Sequence, residues 1–209
     1  MSNGPTEQEQ FWAGDFGNEY TDRNTGEDLL ASNLALFSKI LAHTAGIRSV
    51  IEFGANIGMN LKAIQTLVPG IECSGIEINT KAAGHLRRIP GIQHVYEQSV
   101  FDYRPDYERD LSLIKTVLIH INPEKLKHVY ELLYTSSKRY ICVAEYYSPV
   151  PVMIPYRGNS DKLFKRDFAG ELMDTYKDLR LIDYGFAYRR DAYYGKMYDD
   201  INWFLMEKI

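Results

Sequence analysis

From about residue 47 onward, short apolar runs rich in β-branched residues alternate with stretches of helical periodicity, and this alternation restricts the fold more than any other feature of the chain. It predicts a mostly parallel sheet with helices on both faces. The expected strands are 48–53, 71–77, 92–97, 110–115, 139–145, 180–188 and 201–208, with helices near 57–67, 80–88, 123–137 and 165–177. No helical stretch separates the last two runs. They are expected to pair as an antiparallel hairpin at one edge, giving seven strands in all. Residues 1–46 read as an N-terminal helical cap on a core of 47–209: an acidic, aromatic-containing segment, FWAGDFGNEYTDRN, then a helix from about Glu27 to Thr44. The proline-rich stretch SPVPVMIPYRGNS, inside an insert near 148–165, reads as an irregular loop at the carboxyl end of the fifth strand, where ligands sit in such sheets.

At 209 residues and 45% hydrophobic, the chain suits one domain with elaborations. A net charge of −4, with the basic pairs scattered, argues against nucleic acid as a partner. The polar opening lacks the order of a signal peptide, and no apolar run approaches about 18 residues. A cytoplasmic protein with no membrane partner is expected, as monomer or homodimer. Cys73 and Cys142 lie inside apolar runs and are too few for a metal site, so they read as buried free thiols.

The turn after the first strand, EFGANIG, carries the chemistry. Glycine at 54 and 58 lets a ligand approach the backbone N–H groups closely. Asn56 occupies the middle glycine of a dinucleotide fingerprint and the third glycine is missing, so a pyrophosphate fits poorly. Two acids stand in its place. Glu77, about 20 residues past the turn, is positioned to accept both hydroxyls of a ribose. Glu52, two residues before Gly54, is positioned to orient the loop and to favour a cationic ligand. S-adenosylmethionine has an amino group, a sulfonium and a free ribose, and no phosphate. After the third strand, EQSVFDY places Ser99 and Val100 near an adenine, with Asp102 as a partner for its amino group; an ordinary capped turn accounts for the stretch equally well. After the fourth strand come His120, then Asn122 and Pro123, opening a helix as cap and first turn.

The stretches EFGANIG, TVLIHINPEKL, VAEYYSP and LFKRDFAGE resemble the class I S-adenosylmethionine-dependent methyltransferases, and within them the pseudaminic acid biosynthesis-associated methylases. The resemblance runs from FWAGDFGNEY to INWFLMEK. It implies an α/β, Rossmann-like class I methyltransferase fold and methyl transfer in or near a bacterial surface-sugar pathway, with S-adenosylhomocysteine as product. Carried over by position, it puts Glu52, Gly54, Asn56 and Gly58 around the methionine end of the cofactor, Glu77 on its ribose, Ser99 and Val100 beside its adenine, and Lys115 and Thr116 on the floor after the fourth strand; Ile78, next to Glu77, is a further cofactor-binding candidate.

Methyl transfer needs the acceptor held in line with the departing sulfur, and an oxygen or ammonium acceptor must also lose a proton. His120 is the candidate base; a histidine packed beneath the cap is the competing reading. Tyr147, a second catalytic candidate, and Tyr146 lie where the acceptor enters, with Tyr156 and Arg157 on the insert behind them. From the cap, Tyr20 and Arg23 are expected over the cofactor and Trp12 over the acceptor. A small polar acceptor, such as an amino sugar or its nucleotide-linked form, fits these side chains. Two alternatives stand beside this reading: a catalytically silent cofactor-binding scaffold, and an NAD-dependent sugar oxidoreductase or epimerase built on the Tyr134-x-x-x-Lys138 pair.

Overall fold

The alternation of apolar and mixed runs produces a seven-stranded sheet in the order β3-β2-β1-β4-β5-β9-β8. The structure, a computed structural model, describes residues 4–23, 27–156, 159–192 and 199–209. Strands β1 (Ser49–Phe53), β2 (Glu72–Glu77), β3 (Ile92–Glu97), β4 (Arg109–Lys115) and β5 (Ser137–Glu145) pair in parallel, whereas β8 (Leu179–Ala187) and β9 (Ile201–Lys208) add the antiparallel hairpin beside β5. All seven expected strands are present. The order turns back between β1 and β4, which opens a crevice at their carboxyl ends.

Strand period two divides the core. Val50, Cys73, Leu111, Leu113, Cys142 and Leu205 face helices α3 (Glu27–Leu41), α4 (Met59–Leu67) and α5 (Thr80–Leu86). The alternate positions Ile51, Phe53, Ile76, Ile114, Ile141 and Met206 face α6 (Leu126–Ser136) and α7 (Phe168–Thr175). Both cysteines are free and buried, and burial pushes each thiol up to about 12. No helix among the described residues is long and apolar enough to cross a membrane.

One segment adds detail to the sequence reading and one departs from it. The segment before α3 is two short helices, α1 (Glu7–Ala13) and α2 (Asp15–Arg23), the first opened by a capping box between Thr6 and Glu9. The insert near 148–165 is not irregular: it is an antiparallel hairpin of β6 (Val152–Tyr156) and β7 (Asn159–Lys165). Its register shifts between Ile154 and Tyr156, at Pro155, which has no N–H to give the ladder. Arg157 lies outside the described residues, as does the side chain of Tyr156.

Candidate active site

The loop from β1 to α4 turns by placing every second residue in the left-handed region: Gly54 at φ 75°, Asn56 at φ 48° and Gly58 at φ 81°. Asparagine tolerates that region better than other side chains, so Asn56 fills a place that glycine would otherwise take. The flanking glycines have no such freedom. A Cβ on Gly54 would stand 2.5 Å from Val117 Cγ2, and one on Gly58 2.5 Å from Leu86 Cδ1. The N–H groups of Gly54 and Ala55 both donate to the Ile76 carbonyl at 2.9 Å, fastening the loop to β2. Asn56→Gly is therefore expected to change stability by less than about 0.5 kcal/mol and Asn56→Val to cost about 1–2 kcal/mol, read by thermal unfolding; equal midpoints would contradict the backbone account.

Three buried carboxylates stand at the strand ends. Glu77 closes β2, its Oε2 accepting the Asn56 N–H at 2.6 Å and its Oε1 the Asn79 N–H at 2.8 Å; burial raises its carboxyl above the usual range, against those two bonds. Glu52 on β1 accepts from Asn60 Nδ2 at 2.5 Å through Oε1, and burial pushes it up to about 8. At the end of β5, Glu145 Oε1 accepts the N–H groups of Val117 and Leu118, both at 2.8 Å, and burial pushes this carboxyl to about 8 as well. Lys115, ending β4, feels the charges of both Glu52 and Glu145; burial lowers its ammonium and the acids pull it back. Among the described residues, Glu52 Oε2, Glu145 Oε2 and Asn60 Oδ1 are buried acceptors without a hydrogen bond. Next to Lys115, Thr116 holds φ 55°, an uncommon angle for a β-branched residue and a sign of local strain at this end of the sheet.

The N-terminal helices close over the crevice. Asn79, which caps α5 by accepting the Ala82 N–H at 3.0 Å, turns its Nδ2 to the Trp12 carbonyl at 3.2 Å and to Asn18 Oδ1 at 3.0 Å. Lys81 pairs with Asp22 at 2.6 Å beside it. Gly17 is required where the two parts meet, because a Cβ there would stand 1.8 Å from the Trp12 carbonyl oxygen. The Trp12 ring lies 4.8 Å from the buried His120 ring and 5.3 Å from Tyr20.

Between cap and sheet is a cavity of about 180 Å³. Most of the residues singled out in the sequence line it: Trp12, Tyr20, Gly54, Asn56, Glu77, Ile78, Ser99, Val100, Lys115, Thr116 and His120. Glu52 and Gly58 are buried, with Glu52 held by the lining residue Asn60. Arg23, Tyr146 and Tyr147 are outside this wall. Arg23 is exposed with its guanidinium 5.9 Å from the Phe16 ring, Tyr146 donates to Asp199 at 2.5 Å, and the exposed Tyr147 ring lies 5.9 Å from Phe204. Strand alternation does not account for Tyr147, which shares the parity of Glu145; β5 ends at Glu145, and beyond that end the chain no longer follows the strand period, so Tyr147 faces out. Sequence reasoning missed Glu9, Asn33, Asn60, Asn79 and Lys125 in the wall and Glu145 behind it. The Thr6-x-x-Glu9 box was available as a signal for α1; the others are brought in only by the fold.

No family model matches the chain, and no curated protein matches it either. Solved structures do. The chain is similar to 1,6-didemethyltoxoflavin-N1-methyltransferase of Burkholderia thailandensis, solved with its substrate and S-adenosylhomocysteine, at a TM-score of 0.72 and 12% identity over 100% of this chain and 93% of that one. The fold is that of the class I methyltransferases. The same methyltransferase fold aligns with magnesium protoporphyrin IX methyltransferase of Synechocystis PCC 6803, solved with bound S-adenosylmethionine, at a TM-score of 0.68 and 11% identity over 100% of both chains. It also aligns with the plantazolicin methyltransferase BpumL in complex with S-adenosylhomocysteine, at 0.65 and 13% identity over 96% of this chain and 93% of that one.

Proposed function

We propose that the chain is an S-adenosylmethionine-dependent methyltransferase acting on an oxygen or nitrogen of a small polar acceptor. The observation that carries this reading is the pairing of a left-handed 54–58 loop with Glu77, whose two oxygens hold the loop and the start of α5 and keep further lone pairs for two ribose hydroxyls. The residues fit the cofactor at its other end too. Glu52 Oε2 and Asn60 Oδ1 are buried acceptors without donors, suited to a methionine ammonium. Ile78, Ser99 and Val100 would line the adenine, and Lys115 and Thr116 the floor. When bound, S-adenosylmethionine supplies a methyl group already activated on sulfur.

The chain's own work is then to position, to exclude water and to move one proton. The α1–α2 cap covers the crevice, and Trp12 holds the His120 ring on the cavity wall, where its nitrogen would take the acceptor's proton. Resemblance to the pseudaminic acid-associated methylases supports an amino sugar or nucleotide-linked sugar as acceptor. Tyr134 and Lys138, the pair a sugar epimerase would need, are outside the cavity wall; Tyr134 donates to Asp178 at 2.6 Å.

Calorimetric titration with S-adenosylmethionine, S-adenosylhomocysteine and NAD tests the reading. Micromolar binding of the first two and silence with NAD is expected, and NAD binding alone would overturn it. His120→Ala is expected to keep that binding while lowering turnover about 10²- to 10⁴-fold on whichever acceptor the wild type methylates; normal turnover would make His120 structural.

A further inference from the structure

An adenine has apolar faces and one exocyclic amino group, a double donor that must find acceptors once it leaves water. The end of the cavity assigned to the adenine has Ile78 and Val100 in its wall for the faces, with Ser99 between them in the turn after β3. Asp102, the acid that the sequence offers for the amino group, is exposed and outside this wall; what it gives the turn is its backbone N–H, 3.1 Å from the Ser99 carbonyl. Among the described residues, the carboxylates that do line the cavity are Glu77 and Glu9. Glu77 is engaged at the end of β2 by the N–H groups of Asn56 and Asn79. Glu9 remains.

Glu9 belongs to the cap and not to the sheet. Its Oε2 accepts the Thr6 N–H at 2.7 Å while Thr6 Oγ1 accepts the Glu9 N–H at 3.2 Å, so the capping box that starts α1 also fixes where this carboxylate stands. From there it takes a hydrogen bond from the Ser99 hydroxyl, whose oxygen in turn accepts the Phe101 N–H at 3.2 Å. The carboxylate thus meets the β3 turn at the adenine end. Burial would raise the Glu9 carboxyl, but the bonds from Ser99 and Thr6 and the charge of Lys125, also in the wall, together hold it below the usual range. It is therefore an acceptor only, and its about four lone-pair sites exceed the donors that Thr6 and Ser99 present.

On the methyltransferase reading, we infer that Glu9 accepts the 6-amino group of the cofactor's adenine and thereby sets a preference for adenine over a 6-oxo purine. Calorimetric titration with S-adenosylhomocysteine and its 6-oxo analogue S-inosylhomocysteine reads that preference as a ratio of two dissociation constants. The wild type should favour the adenine form about 100-fold, because the 6-oxo group turns its lone pairs on the carboxylate. Glu9→Gln keeps an oxygen for the Thr6 N–H, and so the helix start, but it loses the charge and can donate as well as accept. Its ratio should fall about tenfold or more. Thr6→Ala breaks the same capping box and leaves the carboxylate in place; it should weaken both analogues alike and keep the ratio, and Asp102→Asn should keep it too. A wild type indifferent to the two analogues overturns the assignment, as does a ratio unmoved by Glu9→Gln. So does a ratio that falls as far in Thr6→Ala, which would make Glu9 a cap residue alone, or in Asp102→Asn. In each of these cases the wild type still binds S-adenosylhomocysteine, and the methyltransferase reading stands. A wild type that binds neither analogue nor S-adenosylmethionine overturns that reading, and the role of Glu9 with it.

Discussion

Replacing Glu77 with alanine is expected to weaken S-adenosylmethionine binding by about 2–4 kcal/mol, or about 30- to 700-fold, in calorimetric titration. Two losses add. The carboxylate would no longer meet the ribose hydroxyls, and the N–H groups of Asn56 and Asn79, now at 2.6 and 2.8 Å from its oxygens, would be left without an acceptor in a buried place. The second loss distorts the loop that cradles the methionine end, so it adds to the first at a distance from the ribose. Glu77→Gln separates them, because its single carbonyl oxygen can serve one N–H and not both; an intermediate loss is expected. Affinity within twofold of wild type for the alanine variant would remove Glu77 from the binding site.

Glu145 governs a second large effect, on stability against pH. Burial holds its carboxyl at about 8 in the folded chain, against a reference of 4.5 for the free group. The folded state thus keeps a proton that the unfolded state releases, and its relative stabilisation is complete below about pH 4.5 and lost as pH rises through about 8. Over that window the wild type should lose stability by up to about 1.4 kcal/mol per pH unit from this group. Glu145→Gln carries no titrating proton yet keeps an oxygen for the Val117 and Leu118 N–H groups, so its urea-unfolding free energy should fall less steeply between pH 5 and 8. Parallel curves for the two proteins would show that Glu145 is not held protonated. Glu52, pushed to about 8 by the same cause, leaves a residual slope in the variant.

The sheet was legible because its strands are buried and β-branched. RSVIEF was read as 48–53 and the strand is Ser49–Phe53; INWFLMEK was read and found at 201–208. The β6–β7 hairpin was not, since proline argues against strands unless the ladder can break beside it, and here it breaks at Pro155. Within the expected helical cap the bounds of α1 and α2 were hidden by Gly14 and Gly17, which lower helical propensity; Gly17 is there because α2 must approach the Trp12 backbone. The glycine loop and Glu77 announce themselves through local chemistry at fixed spacing. Glu145 does not, because its partners are 27 and 28 residues away and are backbone groups of no particular sequence. Tyr147 misled because aromatic character at a strand end suggests a wall wherever it points, and it points away from the cavity.

Asn79 is a joint with three arms. Its N–H holds Glu77, its side-chain oxygen starts α5, and its side-chain nitrogen grips the carbonyl of Trp12. Any ligand that orders Glu77 therefore also steadies the attachment of the α1–α2 cap, and linkage requires the cap to return the favour by the same factor. Occupancy of the crevice and closure over it would in this way be two readings of one equilibrium.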